Sequence, residues 1–229
     1  HLHGDHFFGL VGLLSSMNLN GRTKSLNLFA PAPLKEILDL QFKYSDTRIN
    51  FPIEFFPLEH RSQEIYKNND FIVETVKPNH RIDCCGFIFR EKKRLRKILK
   101  DKVEELNIPA QYIPLIKKGI DFVDKKGVAH KAVNLTTESD EPKSYAYCSD
   151  TVSDYSYTSH IQDVDMLYHE ATFLHEMVDR AKATFHTTAR EAGEVARKTG
   201  AKKLLIGHFS ARYRDLSQLL IEAREVFPE

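Results

Sequence analysis

Metal-binding side chains crowd the first six residues, HLHGDH, where His1, His3, Asp5 and His6 all carry ligating atoms and Gly4 leaves room for a tight turn. An affinity-tag remnant would repeat histidine, whereas this segment interleaves Leu2, Gly4 and Asp5. Further chemistry-bearing residues each follow a β-rich run: His80 after FIVETVKPN, Asp150 after SYAYCS, His169 and Glu170 at the end of DVDMLYHE, and His208 after KKLLIG. Taken singly, His80, Asp150 or His208 reads as a hydrogen-bonding residue at a strand end or turn. Their joint placement with the opening cluster points to metal. His1, His3, Asp5, His6, His80, Asp150 and His208 offer five imidazoles and two carboxylates, enough for two ions sharing one carboxylate. Neutral imidazole and carboxylate oxygen suit zinc best, with Mn2+ or Fe2+ as alternatives.

The elements that must position these groups follow from periodicity. GLVGLLSSMNLNGR has helical spacing and a stop at Asn20-Gly21, SLNLFAP is a short strand, and PLKEILDLQFKY is an amphipathic helix. INFPIEFFPL, FIVETVKP and GFIFRE form strands of an antiparallel or mixed sheet. REKKRLRKILKDKVEEL, residues 90 to 106, reads as an amphipathic helix with a very basic front. SYAYC, MLYHE and KKLLIG are strands, HTTAREAGEVARKTGA is a helix with a threonine cap and Gly200 as its stop, and DLSQLLIEAREVF closes the chain as a helix. Strands that repeatedly end in histidine or carboxylate suit a layered α/β protein.

The 229 residues fit one catalytic domain with a substantial core, and no linker, repeat or low-complexity tract divides them. Hydrophobic residues at 41% and charged residues at 28% exclude wholesale disorder. No apolar run reaches the roughly 20 residues of a membrane helix. The net charge of +1 removes a global basic field, so nucleic-acid binding would need a local patch. Cys84, Cys85 and Cys148 do not form a disulfide framework, which predicts a reducing, cytoplasmic setting.

The ordered motifs HLHGDH, GLLSSM, NHRIDCCGF, YCSDT, HEATF, FHTTA and IGHFSARY together resemble the tRNase Z branch of the metallo-β-lactamase superfamily, short form, from residue 1 to about 213. HxHxDH specifies the superfamily, and HEAT, HTTA and HFSARY specify the branch. The resemblance implies an αββα sandwich whose N-terminal strands are missing here, so the natural protein is expected to be longer. It implies that His1, His3 and His80 hold one zinc ion, Asp5, His6 and His208 the other, and that Asp150 bridges them. The implied reaction is removal of the 3′ trailer of precursor tRNA after the discriminator nucleotide, by metal-bridged hydroxide attack, leaving a 3′-hydroxyl. Asp5 would orient the nucleophile, and His186 paired with Glu170 would protonate the leaving oxygen.

The resemblance also implies a homodimer and an inserted tRNA-binding arm, placed here at about 90 to 140. Candidate phosphate contacts are Arg90, Lys92, Lys93, Arg94, Arg96 and Lys97. The arm departs from the family pattern: NIPAQYIPLIKKG at 107 to 119 stands where a Gly-Pro segment is usual, and VGL at 11 to 13 replaces PGL. Two alternatives stay open, a general phosphodiesterase or other hydrolase of the same superfamily, and a catalytically silent RNA-binding relative.

Overall fold

The computed structural model describes residues 1–228. Its elements run α1 (Gly4–Leu19), β1 (Leu26–Ala30), α2 (Pro33–Tyr44), β2 (Ile53–Pro57), β3 (Gln63–Lys67), β4 (Phe71–Val76) and β5 (Gly86–Glu91). A run of short elements follows: β6 (Lys97–Ile98), α3 (Lys100–Glu105), α4 (Ile113–Lys117), β7 (Phe122–Val123), β8 (Ala129–His130), α5 (Ala132–Leu135) and β9 (Thr136–Thr137). The last part comprises β10 (Ser144–Cys148), β11 (Met166–Glu170), α6 (Val178–Ala183), α7 (Ala189–Thr199), β12 (Leu204–Gly207) and α8 (Ser217–Val226).

Six strands form the main sheet in the order β12-β11-β10-β5-β4-β3. β10, β11 and β12 are parallel, while β5 runs antiparallel to β10. The sheet is therefore mixed. Alternation along SYAYC turns Ala146 and Cys148 into the core, where they meet Ile88, Leu167, Val195 and Ala196. Helix α7 covers this face with Val195 and Ala196, while its small residues Ala189, Ala192 and Gly193 pack toward α8. A Cβ at Gly193 would lie 2.7 Å from the Ala223 carbonyl of α8, so glycine is required there. Thr188 and Glu191 close a capping box at the start of α7, and Gly200 ends it at φ 65°.

A second layer holds the parallel pair β1 and β2 with α1 and α2. Leu14, Leu34, Leu38 and Phe51 are its buried centre. Each such side chain contributes about 1.5–3 kcal/mol on burial. Phe29 of β1 stacks on Phe56 at 4.8 Å and meets Tyr66 of β3 edge-on at 6.3 Å, which joins the two layers.

β3, over QEIYK, carries no alternating apolar signal in the sequence, since its apolar residues Ile65 and Tyr66 are adjacent. One expectation needs correction. Residues 90 to 106 do not form one helix. Arg90 and Glu91 finish β5, Lys97 and Ile98 form β6 paired with β9, and helix begins only at Lys100. The physical reason is charge. Lys92, Lys93, Arg96 and Lys97 would repel one another at helical spacing, whereas in the observed path each finds a partner elsewhere. Lys93 lies 3.6 Å from Glu141, Lys97 lies 2.8 Å from Asp140, Arg96 pairs with Glu138, and Lys92 donates to the Asn68 carbonyl. Ile98, Val103 and Leu106 instead pack on Ile108, Ile116, Phe122, Ala132 and Leu135, a small separate core between β5 and β10.

Candidate metal centre

The register of the main sheet brings the distant candidates to one edge. Cys148 stands opposite His169, which stands opposite Ile206, and Glu170 stands opposite Gly207. Asp150, Glu170 and His208 therefore emerge side by side at the carboxyl ends of three parallel strands. Val76 and Gly86 are paired at the same end, so the turn between β4 and β5 delivers His80 there too. Gly86 allows this closeness: a Cβ would lie 2.7 Å from the Tyr147 carbonyl. Helix α1 begins inside the opening motif, with His3 at its N-cap and Asp5 and His6 in the first turn.

Three positions beside the centre take left-handed backbone: Asp150 at φ 49°, Phe185 at φ 58° and His208 at φ 58°. Such a conformation costs an L residue about 1–2 kcal/mol, and it turns two candidate ligands and the residue before His186 sharply off their elements. Strain of this kind is held where surrounding contacts over-determine it.

His1 Nε2 lies 3.0 Å from His3 Nδ1, and His3 Nδ1 lies 3.4 Å from His80 Nε2. Asp150 Oδ2 stands 3.5 Å from His1 Nε2 and 3.7 Å from His80 Nε2. Ligands at about 2.0–2.1 Å from a tetrahedral zinc are separated by roughly 3.3–3.4 Å, so this quartet has the spacing of a coordination shell. A second group adjoins it. Asp5 Oδ2 lies 3.5 Å from His6 Nε2 and 3.8 Å from His208 Nε2, while Asp150 offers Oδ2 to His6 at 3.3 Å and Oδ1 to His208 at 3.3 Å. The two oxygens of Asp150 thus face both groups. His6 Nε2 is buried without an aligned hydrogen-bond partner, which is unfavourable unless a ligand occupies its lone pair. The donor set fits two divalent ions.

The rings are held from behind. His80 Nδ1 donates to the Phe185 carbonyl at 3.1 Å, which leaves Nε2 free of a proton on the inner side. Burial lowers the His80 pKa against the opposing effect of that carbonyl, favouring the neutral ring that ligation needs. The Asp150 carboxylate beside His6 raises that imidazole's pKa despite burial. Burial would lift the Asp150 carboxyl, but His6, His208 and Ser149 outweigh it and hold the group well below the usual carboxylate range. Burial pushes the Cys84 thiol up to about 12, so it stands beside His1 Nδ1, 3.4 Å away, as a neutral group.

Glu170 is fully buried and accepts four hydrogen bonds. Thr151 N–H at 2.6 Å and His186 Nδ1 at 3.1 Å reach Oε1, and the Thr172 hydroxyl at 2.6 Å and Thr187 N–H at 3.0 Å reach Oε2. Burial disfavours protonated His186, yet its bond to Glu170 and the charges of Glu170, Asp150 and Asp5 raise its pKa overall. Its ring centroid lies 5.3 Å from His208 and 5.5 Å from His80, so it borders both groups.

The structure therefore brings together His1, His3, Asp5, His6, His80, Asp150, Glu170, His186 and His208. The six candidate RNA contacts are largely engaged within the protein. Arg90 pairs with Glu74 at 3.0 Å on the sheet, and of the six only Arg94 lacks a partner for its side chain among the described residues. Sequence reasoning missed Thr151, Thr172 and Thr187, whose role is set by proximity to Glu170. It also missed a cleft of about 830 Å³ beside His80 and Cys84, lined across from them by His60, Arg61, Lys77 and His160.

A layered α/β fold with a histidine- and aspartate-rich cluster at its strand ends is the arrangement of a metal-dependent hydrolase. No family model matches the chain. The ribonuclease Z of Cytophaga hutchinsonii is 45% identical over 226 residues, covering 98% of this chain and 72% of that protein. The fold is similar to that of human tRNase Z, short form, with a TM-score of 0.63 at 23% identity, over 94% of this chain and 72% of the human one. It is also similar to the metallo-β-lactamase fold protein YhfI of Bacillus subtilis, with a TM-score of 0.60 at 18% identity, over 100% of this chain and 69% of that one. The chain belongs to the ribonuclease Z family.

Proposed function

We propose that this chain is an endoribonuclease that removes the 3′ trailer of precursor tRNA and leaves a 3′-hydroxyl on the discriminator nucleotide. The observation that carries the reading is the buried Glu170–His186 pair set against two adjoining groups of metal-ligating atoms. A phosphodiester with a poor alkoxide leaving group needs both a charge sink and a proton donor, and the two stand side by side here. His1, His3 and His80 would hold one ion, Asp5, His6 and His208 the other, with Asp150 between them. When bound, two zinc ions supply Lewis acidity to the phosphate oxygens and make water acidic enough to attack near neutral pH.

The chain's own residues do the rest. Asp5, exposed in the first turn of α1, accepts the proton of the attacking water. His186 gives its proton to the 3′ oxygen as the P–O bond breaks, so the products are a 3′-hydroxyl and a trailer with a 5′-phosphate. Glu170 orients the imidazole and stabilises its charged form. Residues 92 to 143, with their own small core, serve as the arm that holds tRNA away from the cut.

A homodimer fits the outer face of α1. Phe8 and Leu13 are exposed there, and nothing lies within 4 Å of a Cβ built at Gly9 or Gly12, leaving a shallow apolar strip for a second copy. Among the described residues no helix is long and apolar enough to cross a membrane.

The deciding experiment is cleavage of a 3′-extended precursor tRNA with both product ends mapped. A single cut after the discriminator with a 3′-hydroxyl is the expected result. Cleavage of a small activated phosphodiester with precursor tRNA left intact would replace this reading with a general phosphodiesterase.

A further inference from the structure

Thr172 links the two halves of the site through one hydroxyl. The residue is buried, and its Oγ1 lies 2.6 Å from Glu170 Oε2, 3.0 Å from His208 Nδ1 and 2.9 Å from the His208 carbonyl. A hydroxyl has one proton and two lone pairs. The shortest of the three contacts is to a carboxylate, where an O–H bond is strongest, so the proton goes to Glu170. The His208 carbonyl, the other acceptor in reach, can only compete for that same proton, so toward His208 Nδ1 the oxygen offers a lone pair and Nδ1 must carry a ring proton.

That choice matters because the opposite nitrogen faces Asp150 Oδ1 at 3.3 Å. Left to itself, a neutral His208 would place its proton on Nε2 and donate it to that carboxylate, blocking the lone pair on the inner side. Thr172 opposes this. The backbone keeps the partners in place, since Ser210 N–H donates to the Thr172 carbonyl at 3.1 Å and ties the turn after β12 to the end of β11.

We propose that Thr172 is a positioning residue that fixes the tautomer of His208 and, through the same hydroxyl, the carboxylate that holds His186. The inference rests on the reading of His208 as a metal ligand and of Glu170–His186 as the proton donor. It predicts that proton transfer and metal retention fail together when this one hydroxyl is lost.

The test compares Thr172→Val, which keeps the shape, with Thr172→Ser, which keeps the hydroxyl, in the full chain. Histidine 15N spectra of chelator-treated protein, with His208 assigned by its loss in His208→Gln, should show Nδ1–H in wild type and Thr172→Ser. Thr172→Val should show substantial Nε2–H. Zinc affinity by competition with a coloured chelator should fall about 10- to 100-fold in Thr172→Val and stay near wild type in Thr172→Ser. An unchanged His208 tautomer and unchanged zinc affinity in Thr172→Val, even with a lower melting temperature, would overturn the proposal. If His208→Gln itself left zinc affinity intact while Thr172→Val shifted the tautomer, the ligand reading of His208 would fall and the hydroxyl's control of the ring would stand.

Discussion

His186 Nδ1 stands 3.1 Å from an oxygen of Glu170, a carboxylate with no exposure to solvent and three further donors already aimed at it. Four donors on one group require an acceptor at both oxygens. Glu170→Gln turns one oxygen into an NH₂ that must meet a backbone N–H or His186 donor to donor. The loss of a buried charge-assisted network costs about 1–3 kcal/mol, so the melting temperature should fall along with precursor tRNA cleavage. Thermal unfolding and initial rates on the same preparations check this. A variant as stable and as active as wild type would refute the network as described.

If His186 protonates the leaving oxygen, its importance depends on how much the leaving group needs a proton. His186→Ala should slow cleavage of precursor tRNA, whose leaving group is an alkoxide, by about 10²–10⁴-fold. Hydrolysis of bis(p-nitrophenyl) phosphate, whose leaving phenolate is stable unprotonated, should change far less. Equal losses on both substrates would assign His186 to binding or to metal retention instead.

Much of this site was legible before the fold. HLHGDH announces its chemistry through residue type alone, and His80, Asp150 and His208 are marked by the strands ahead of them. The threonine cap and the stop at Gly200 were readable because local hydrogen bonding sets helix ends, and the structure adds that Thr188 is the cap and Glu191 closes a capping box. What could not be read is set by contacts distant in sequence. Thr172 reaches His208 across 36 positions, and the left-handed backbone at Asp150 and His208 is one that Asp and His tolerate but that neither residue type dictates. The basic stretch misled for a related reason. Its apolar residues have helical spacing, but its cations are neutralised by Glu138, Asp140 and Glu141, some 40 positions on.

Asp150 combines the ligand role proposed for it with a left-handed backbone, and substitutions can separate the two. Asp150→Asn keeps a residue tolerant of left-handed φ, while Asp150→Ala does not. Both should lose precursor tRNA cleavage and retain fewer zinc ions after dialysis, measured by atomic absorption. Asp150→Ala should also be less stable than Asp150→Asn in the metal-free state, by about 1 kcal/mol. Full zinc content in either variant would show that Asp150 is not shared between the ions.

Asp165 sets a pH dependence well away from the metal groups. It receives Lys202 at 2.9 Å, Ser144 N–H at 2.8 Å and the Ser144 hydroxyl at 3.1 Å, and the Lys202 contact leads the causes that lower its pKa to about 2. A folded pKa below the unfolded value of about 3.9 stabilises the native state fully above that value. The contribution fades as pH falls toward about 2. Because Lys202 is exposed, screening limits it to about 1 kcal/mol or less. Asp165→Asn should therefore melt about 2–4 °C lower at pH 7, and the gap to wild type should close in acid. Melts across this range measure it directly, and a gap that widened in acid would contradict the assignment.

The densest run of cations in the sequence is largely engaged within the protein. Lys93, Arg96 and Lys97 are committed to Glu141, Glu138 and Asp140, so a phosphate must compete with a carboxylate already in place. Lys118, Lys125, Lys126 and Lys131 are exposed on the segment between β5 and β10, and among the described residues none has an ion-pair partner. Lys125 and Lys126 sit in the turn from β7 to β8, whose shape is fixed by Asp124 accepting the N–H groups of Lys126 and Val128. A phosphate contact made by a free lysine releases counterions without first breaking a protein ion pair. Lys125→Ala with Lys126→Ala should therefore weaken precursor tRNA binding more than Lys93→Ala with Lys97→Ala. It should also reduce the slope of log affinity against log salt by up to about one per contact removed. Binding titrations at several salt concentrations decide between them: a larger loss of affinity and slope for Lys93 and Lys97 would return the RNA contact to the basic stretch.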